Sequence, residues 1–270
     1  MTIQEYHENK SLGSSLLATL LKNAKLFYQI YKEGFKIESK ELSIGSALHK
    51  LVLEPESFEE EFAILPDINK RTKAGKEAYE LFLKENENKI ILSNDDFELI
   101  KQMKDKLFKL ENFNIFIENG IKEQSFFAEI DGVGLKCRPD LLVKTEKGYI
   151  VIDLKTSKSE ATPDNFAKSS VNFLYPLQEV VYREVLKQNN INVIDFIFAY
   201  VSKVEYSEAI YCRHSYDALD WGSDLLNKAL FKFKWCLENN IWEEGQFDFI
   251  NGGFEKVSTI SLPNYAYYLY

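Results

Sequence analysis

No stretch of this sequence approaches the roughly 20 consecutive apolar residues that a membrane-crossing helix needs, so no membrane association is expected. The opening residues, Met1-Thr2-Ile3-Gln4-Glu5-Tyr6-His7, carry neither the basic nor the apolar segment of a secretory signal, which makes a cytoplasmic location the expectation. Cysteine is scarce. Cys137, Cys212 and Cys236 are scattered, odd in number and form no Cys-x-x-Cys pair, which argues against a zinc knuckle or an iron–sulfur cluster. There is no glycine-rich phosphate loop, which weighs against a small-molecule-binding α/β protein. Positive charge is also short: 33 Lys and Arg face 42 Asp and Glu, a net charge of −9. That balance at first argues against nucleic acid, whose phosphates attract cations. It does not exclude it, because net charge says nothing of distribution and a metal site is itself rich in carboxylates.

What is present reads as one α/β domain with a helical beginning. With 45% hydrophobic residues the 270-residue chain can bury a sizeable core, and no linker, repeat or low-complexity tract divides it. Helical spacing of apolar residues runs from Ser14 to about Tyr31 and from Ile44 to Leu53, where Glu54-Pro55 ends the helix. Further helices are expected from about Thr72 to Glu85 and from Asp95 to Leu110, the latter opened by Ser93-Asn94. The period then changes. Gln124–Ile130, Leu135–Val143 and Tyr149–Lys155 read as a three-stranded meander, with turns at 131–134 and 144–148. A helix from about Tyr175 to Gln188, strands Val193–Lys203 and Ala209–His214, and a long helix from about Tyr216 to Asn239 complete the pattern.

The chemistry lies in Arg138-Pro139-Asp140 followed, after twelve intervening residues, by Asp153-Leu154-Lys155. Asp153 and Lys155 stand two apart on an apolar strand, so their side chains leave the same face. An acid and a base at the end of a buried strand are costly without partners or a ligand. Asp140 sits one short turn upstream, near enough to neighbour Asp153, and two converging carboxylates suit a hard divalent cation such as Mg²⁺ or Mn²⁺. Lys155 beside that ion would assist an attacking water and neutralise charge on a phosphorane, which is metal-assisted phosphodiester hydrolysis. Other acid-x-Lys triplets, such as Glu8-Asn9-Lys10 and Glu87-Asn88-Lys89, lie in polar segments; only the Asp153 triplet ends a buried strand. The bland alternative is a surface ion pair at a strand end.

The pattern Pro139-Asp140…Asp153-Leu154-Lys155 resembles the PD-(D/E)XK nuclease superfamily, and the fuller string resembles its RecE-like exonucleases, the exodeoxyribonuclease VIII type of phages and prophages. The narrower likeness rests on Gly45-Ser46-Ala47-Leu48-His49 with Leu53-Glu54-Pro55, on Leu135-Lys136-Cys137-Arg138, on Gln178 and Tyr182 as a Gln-x-x-x-Tyr helix, and on Ser261-Leu262-Pro263-Asn264-Tyr265-Ala266. It covers essentially the whole chain. Asp153 departs from the Glu frequent in the superfamily but ligates a metal equally well.

The resemblance implies a restriction-endonuclease-like core, a central mixed sheet flanked by helices. The single domain would have a mainly helical part over 1–115, a catalytic core over 116–240 and a tail over 241–270. It implies Asp140, Asp153, the Leu154 backbone carbonyl, His49 and Glu123 as metal ligands, with Glu54 as an alternative acid. Lys155 and the two acids, helped by Gln178 and Tyr182, would be catalytic, while Arg138, Thr156, Gln178 and Tyr182 would contact DNA. It further implies Mg²⁺-dependent 5′→3′ digestion of double-stranded DNA ends, a RecT-like single-strand annealing partner and a ring-shaped homo-oligomer. The aromatic tail Tyr265, Tyr267, Tyr268 and Tyr270 is a candidate subunit contact. The competing readings are another nuclease of the superfamily, an endonuclease or single-strand exonuclease, and a non-catalytic DNA-binding or assembly protein.

Overall fold

The helices form where apolar periodicity and capping side chains agree. A computed structural model describes residues 3–37, 39–242, 246–248 and 253–255. Most of the expected 241–270 tail, including the whole Ser261–Ala266 motif and the four tyrosines, lies outside these residues. After a short α1 (Ile3–Glu8), the apolar run from Ser14 folds as two helices rather than one, α2 (Ser14–Lys22) and α3 (Ala24–Glu33). The break is at Asn23, whose extended backbone ends α2 while its side chain accepts the Leu26 N–H and starts α3. The next helix, α4 (Lys40–Leu53), begins a turn earlier than the apolar pattern indicates because Ser39 caps it through the Leu42 N–H. Pro55 then turns the chain into a short α5 (Phe58–Glu61). Strand β1 (Phe62–Ile64), helix α6 (Lys73–Glu85) and strand β2 (Ile90–Leu92) follow, β1 and β2 forming a small parallel pair. Ser93 caps α7 (Asn94–Phe108), and α8 (Phe113–Asn119) leads into the sheet.

The expected meander is corrected at Pro139. Instead of one strand over 135–143 there are two, β5 (Val133–Cys137) and β6 (Leu141–Lys144), in different sheets. Proline has no N–H for a ladder, so the strand cannot run through it. β4 (Phe126–Ile130) and β5 make a hairpin closed by Asp131-Gly132, both at positive φ (56° and 74°), a conformation glycine adopts freely. The main sheet is ordered β3 (Ile121–Lys122), β6, β7 (Tyr149–Ser157), β8 (Val193–Ser202), β9 (Ala209–Cys212). It is mixed: β7 and β8 are parallel and the other pairs antiparallel. A two-strand pair, β10 (Gln246–Asp248) with β11 (Gly253–Glu255), stands apart.

Strand alternation gives the main sheet two cores. Val151, Phe196, Phe198 and Tyr200 pack on one face with α10 (Tyr175–Gln188), α11 (Tyr216–Asn239) and α2. Ile152, Leu154, Ala199 and Val201 pack on the other with α4 and α7. Between β7 and α10 lies α9 (Pro163–Phe173), a helix missed in the sequence because it is short and mostly polar, burying only Phe166 and Ser170; Thr162 caps it and Leu174, at φ 55°, separates it from α10. Close approach fixes α10: a Cβ on Gly222 of α11 would lie 2.5 Å from the Pro176 carbonyl oxygen. Buried amines are satisfied by backbone. Lys232 donates to the Leu20 oxygen at the end of α2 (2.6 Å), and Lys106 to that of Val204 (2.6 Å).

Candidate active site

Central strand β7 carries Asp153 and Lys155 on the face toward α10, and Lys155 Nζ lies 2.5 Å from Asp153 Oδ2. The antiparallel pairing of Leu141 with Ile152 sets Asp140, just before β6, beside Asp153. Pro139 therefore does more than end β5: it ends one sheet and delivers the acid to the next. Asp140 Oδ2 accepts the Leu154 N–H at 2.6 Å. From α4, on the opposite side of the sheet, His49 reaches over the strand end. Its Nδ1 is 3.4 Å from Asp140 Oδ1 and its Nε2 3.1 Å from the Leu154 carbonyl oxygen. Gln178 of α10 donates to Asp153 Oδ1 at 2.6 Å.

The two acids have opposite electrostatic situations. Burial pushes the Asp153 carboxyl up to about 6; Lys155 pulls it down and Asp140 pushes it further up. Asp140 is equally buried, but the His49 charge and hydrogen bond, with Lys155 and the Leu154 N–H, hold it below the usual carboxylate range. Burial works against a charged His49, yet Asp140 outweighs it and raises the imidazole to about 9. In this state the imidazolium bridges the Asp140 carboxylate and the Leu154 carbonyl, two of the expected metal ligands.

The other expected residues are placed as follows. Glu123, at φ 51° between β3 and β4, pairs with Arg138 Nε at 2.7 Å. Burial and Asp140 raise it to about 7, against the Arg138 hydrogen bond. Arg138 also donates to Ser125 and lines a groove beside the site. Tyr182 is buried, and its hydroxyl donates to the Arg138 carbonyl at 3.3 Å; it buttresses the chain before Pro139, and Gln178 alone of the helical pair touches an acid. Glu54 is held by Lys50 at 2.9 Å at the end of α4, outside the group of potential ligands. Thr156 lines the grooves beside the site. One neighbour escaped the sequence reading: Tyr175, whose ring lies 4.9 Å from Lys155 Nζ. Its position one turn before Gln178 on the same helix was the available signal.

The residues fit a hard divalent cation. Asp153 Oδ2 is buried with no hydrogen-bond partner among the described residues, Lys155 being close but off the direction of a hydrogen bond. One ligand atom each of His49, Glu123 and Asp140 lies within 4.8 Å of the others. A donor set of carboxylate oxygens and one imidazole suits Mg²⁺ or Mn²⁺ better than a thiophilic metal.

A mixed sheet flanked by helices, with acids and a lysine converging at the ends of two antiparallel strands, is the fold of the PD-(D/E)XK nucleases. Residues 14–246 match the family described as PDDEXK-like domain of unknown function (DUF3799), which is most of the chain, and the protein belongs to that family. No curated protein matches it significantly. Among solved structures it is similar to a protein of Eubacterium rectale described as a putative exonuclease: 14% identity over 93% of this chain and 97% of that one, TM-score 0.59. That likeness is one of fold. A second structure, SSO0001, aligns at 16% identity over 74% of this chain and 88% of its own, and its TM-score of 0.32 carries no weight. Among the described residues no helix is long and apolar enough to cross a membrane.

Proposed function

We propose that this protein is a divalent-metal-dependent DNA nuclease, and within that class a RecE-like 5′→3′ exonuclease acting on double-stranded DNA ends. The observation that carries the reading is the convergence of the buried Asp140 and Asp153 with the half-buried Lys155, one Asp153 oxygen having no hydrogen bond among the described residues. Such a charge cluster is expensive in a metal-free interior and serves no packing purpose. The narrower assignment is supported by His49 and Gln178, which occupy the RecE-like motif positions and lie against the acids.

In this reading Asp140, Asp153 and the Leu154 carbonyl hold Mg²⁺, or Mn²⁺ in its place, with His49 and Glu123 able to contribute. The ion supplies Lewis acidity at the scissile phosphate and a more acidic bound water. Lys155 sits where it can orient the water and stabilise negative charge as the phosphodiester is attacked. Gln178 fixes Asp153 in one rotamer through a single hydrogen bond, and Tyr182, kept neutral by burial, holds the Arg138 carbonyl and so the approach of Asp140. A RecT-like annealing protein as partner, a homo-oligomeric ring and action in the cytoplasm belong to the same proposal. So does treating 1–270 as one functional domain.

The test is digestion of linear duplex labelled at the 5′ or the 3′ end, beside closed circles, in Mg²⁺. Early release of 5′ label with circles intact is expected, and Lys155→Ala and Asp153→Ala should each lower the rate at least a hundredfold. Cutting of closed circles would replace the exonuclease by an endonuclease. A wild-type rate from Lys155→Ala would remove the mechanism.

A further inference from the structure

Two grooves meet at His49 of α4, and their formal charges are opposite. The first, of about 640 Å³, runs past His49, Leu154 and Lys155 toward α2 and α9; its ionisable lining also includes Lys22, Lys158 and Lys203 against one acid, Glu41. The second, of about 510 Å³, shares His49, Thr156 and Glu41 but is lined by Glu54, Glu61 and Glu123 against Lys50 and Arg138. A chain with net charge −9 has thus gathered lysines on one side of its catalytic residues and acids on the other.

Three further observations point to what the lysine groove takes. Lys203, half-buried, follows the end of β8 beside Ser157, yet its amine has no hydrogen-bond or ion-pair partner among the described residues. Burial lowers its affinity for a proton, and such an amine is best satisfied by an incoming anion. The N-terminus of α2 opens on the same groove through Ser14 and Ser15, and no side chain caps it, so its first N–H groups also favour an anion. Finally, Phe173 lines the groove 63% exposed, its ring stacked on Tyr175 (5.7 Å, 18°), and Tyr175 in turn lies against Lys155. An exposed ring braced from behind, next to unpaired positive charge, is the combination that binds nucleotide bases and phosphates together.

We propose that the lysine groove is the track of an unpaired DNA strand leading to the active site. Phosphates are held by Lys203, Lys158 and the start of α2, and a base stacks on Phe173. Its volume is in the range of roughly 300–1,000 Å³ typical of small-ligand sites, room for a short run of one strand. Lys158 must exchange its 2.9 Å contact with Glu41 for a phosphate, whereas Lys203 makes no such contact among the described residues. The inference rests on the nuclease reading for the direction of the track, but the binding it describes is measurable without catalysis.

The experiment measures binding of a fluorescein-labelled twelve-nucleotide oligo-dT, and of the matching duplex, in EDTA at several salt concentrations. Variants are Lys203→Met, Lys203→Met/Lys158→Met, Phe173→Ala and, as a control in the acidic groove, Lys50→Met, each checked for an unchanged melting curve. The single strand should bind more tightly than the duplex. Lys203→Met should reduce the slope of log K against log salt by about 0.7, and the double variant by about twice that. Phe173→Ala should weaken the single strand about tenfold, as loss of one base stack implies, without altering the salt slope. Lys50→Met should bind as wild type. Wild-type affinity in both Lys203→Met and Phe173→Ala overturns the track, and if Mg²⁺-dependent hydrolysis persists the nuclease reading survives alone. The predicted losses without any hydrolysis in Mg²⁺ or Mn²⁺ leave the track standing and remove the nuclease.

Discussion

Replacing each acid of the pair by its amide should move stability in opposite directions. Asp153 is 2% exposed, and burial holds its carboxyl near 6 rather than the ordinary 3.8. That difference corresponds to about 3 kcal/mol against the metal-free fold once the group is ionised. The folded state binds the extra proton, so the penalty begins as pH rises past the ordinary value and is complete above the folded one. Asp153→Asn removes it while its amide oxygen still accepts the Gln178 hydrogen bond. That difference already contains the attraction of Lys155, and relaxation around the buried pair leaves about 1–2 kcal/mol net at pH 7.5, or a rise of roughly 3–6 °C in Tm. At pH 5 the gain should shrink by about half. Asp140→Asn has the reverse sign, because the native carboxylate is held below its usual range by His49 and by the Leu154 N–H at 2.6 Å. Loss of a charge-assisted hydrogen bond should cost about 1.5–3 kcal/mol. The assay is thermal unfolding in EDTA at pH 5 and 7.5, repeated with Mn²⁺, which should raise the wild-type Tm and neither variant's. An Asp153→Asn protein that melts below wild type in EDTA at pH 7.5 would refute the electrostatic account of the pair.

Other expectations follow from the same geometry. Because Asp140 raises His49 to about 9, their mutual stabilisation in the metal-free protein is complete below the ordinary 6.5 and fades as pH rises through 9. Since metal requires the neutral ring, Mn²⁺ affinity measured by calorimetry should tighten about tenfold per pH unit between 7 and 8.5, and His49→Asn should flatten that dependence. Gln178→Ala should lower hydrolysis about 10- to 100-fold with little change in Tm, because it orients Asp153 without supporting the core; an unaltered rate would show that Asp153 needs no such partner. Gly222→Ala should destabilise the fold by about 1–3 kcal/mol, read by urea unfolding, since the new methyl would meet the Pro176 carbonyl. A neutral result there would mean that α10 and α11 can separate at no cost.

The legible part of this protein was the part governed by local chemistry. Capping serines and threonines, apolar periods and the Asp131-Gly132 turn marked most elements, and a two-residue strand period put Asp153 and Lys155 on one face before any partner strand was known. The match in pattern extended to His49 and Gln178, and the structure brings both to the acids. Where the local signal was weak or ambiguous, neighbours decided. Asn23 splits an apolar run that reads as one helix, and α9 is short, polar and anchored by little more than Phe166. The acid-x-Lys motif alone could not say that one acid would be pushed up and the other held down, because that depends on which of them meets an imidazole from the far side of the sheet. Nor could it assign Tyr182 to a backbone carbonyl rather than to the acids. Spacing along a chain determines which side chains share a face. The contacts between faces, and the charges gathered in the two grooves that meet at His49, exist only once the sheet and its helices are assembled.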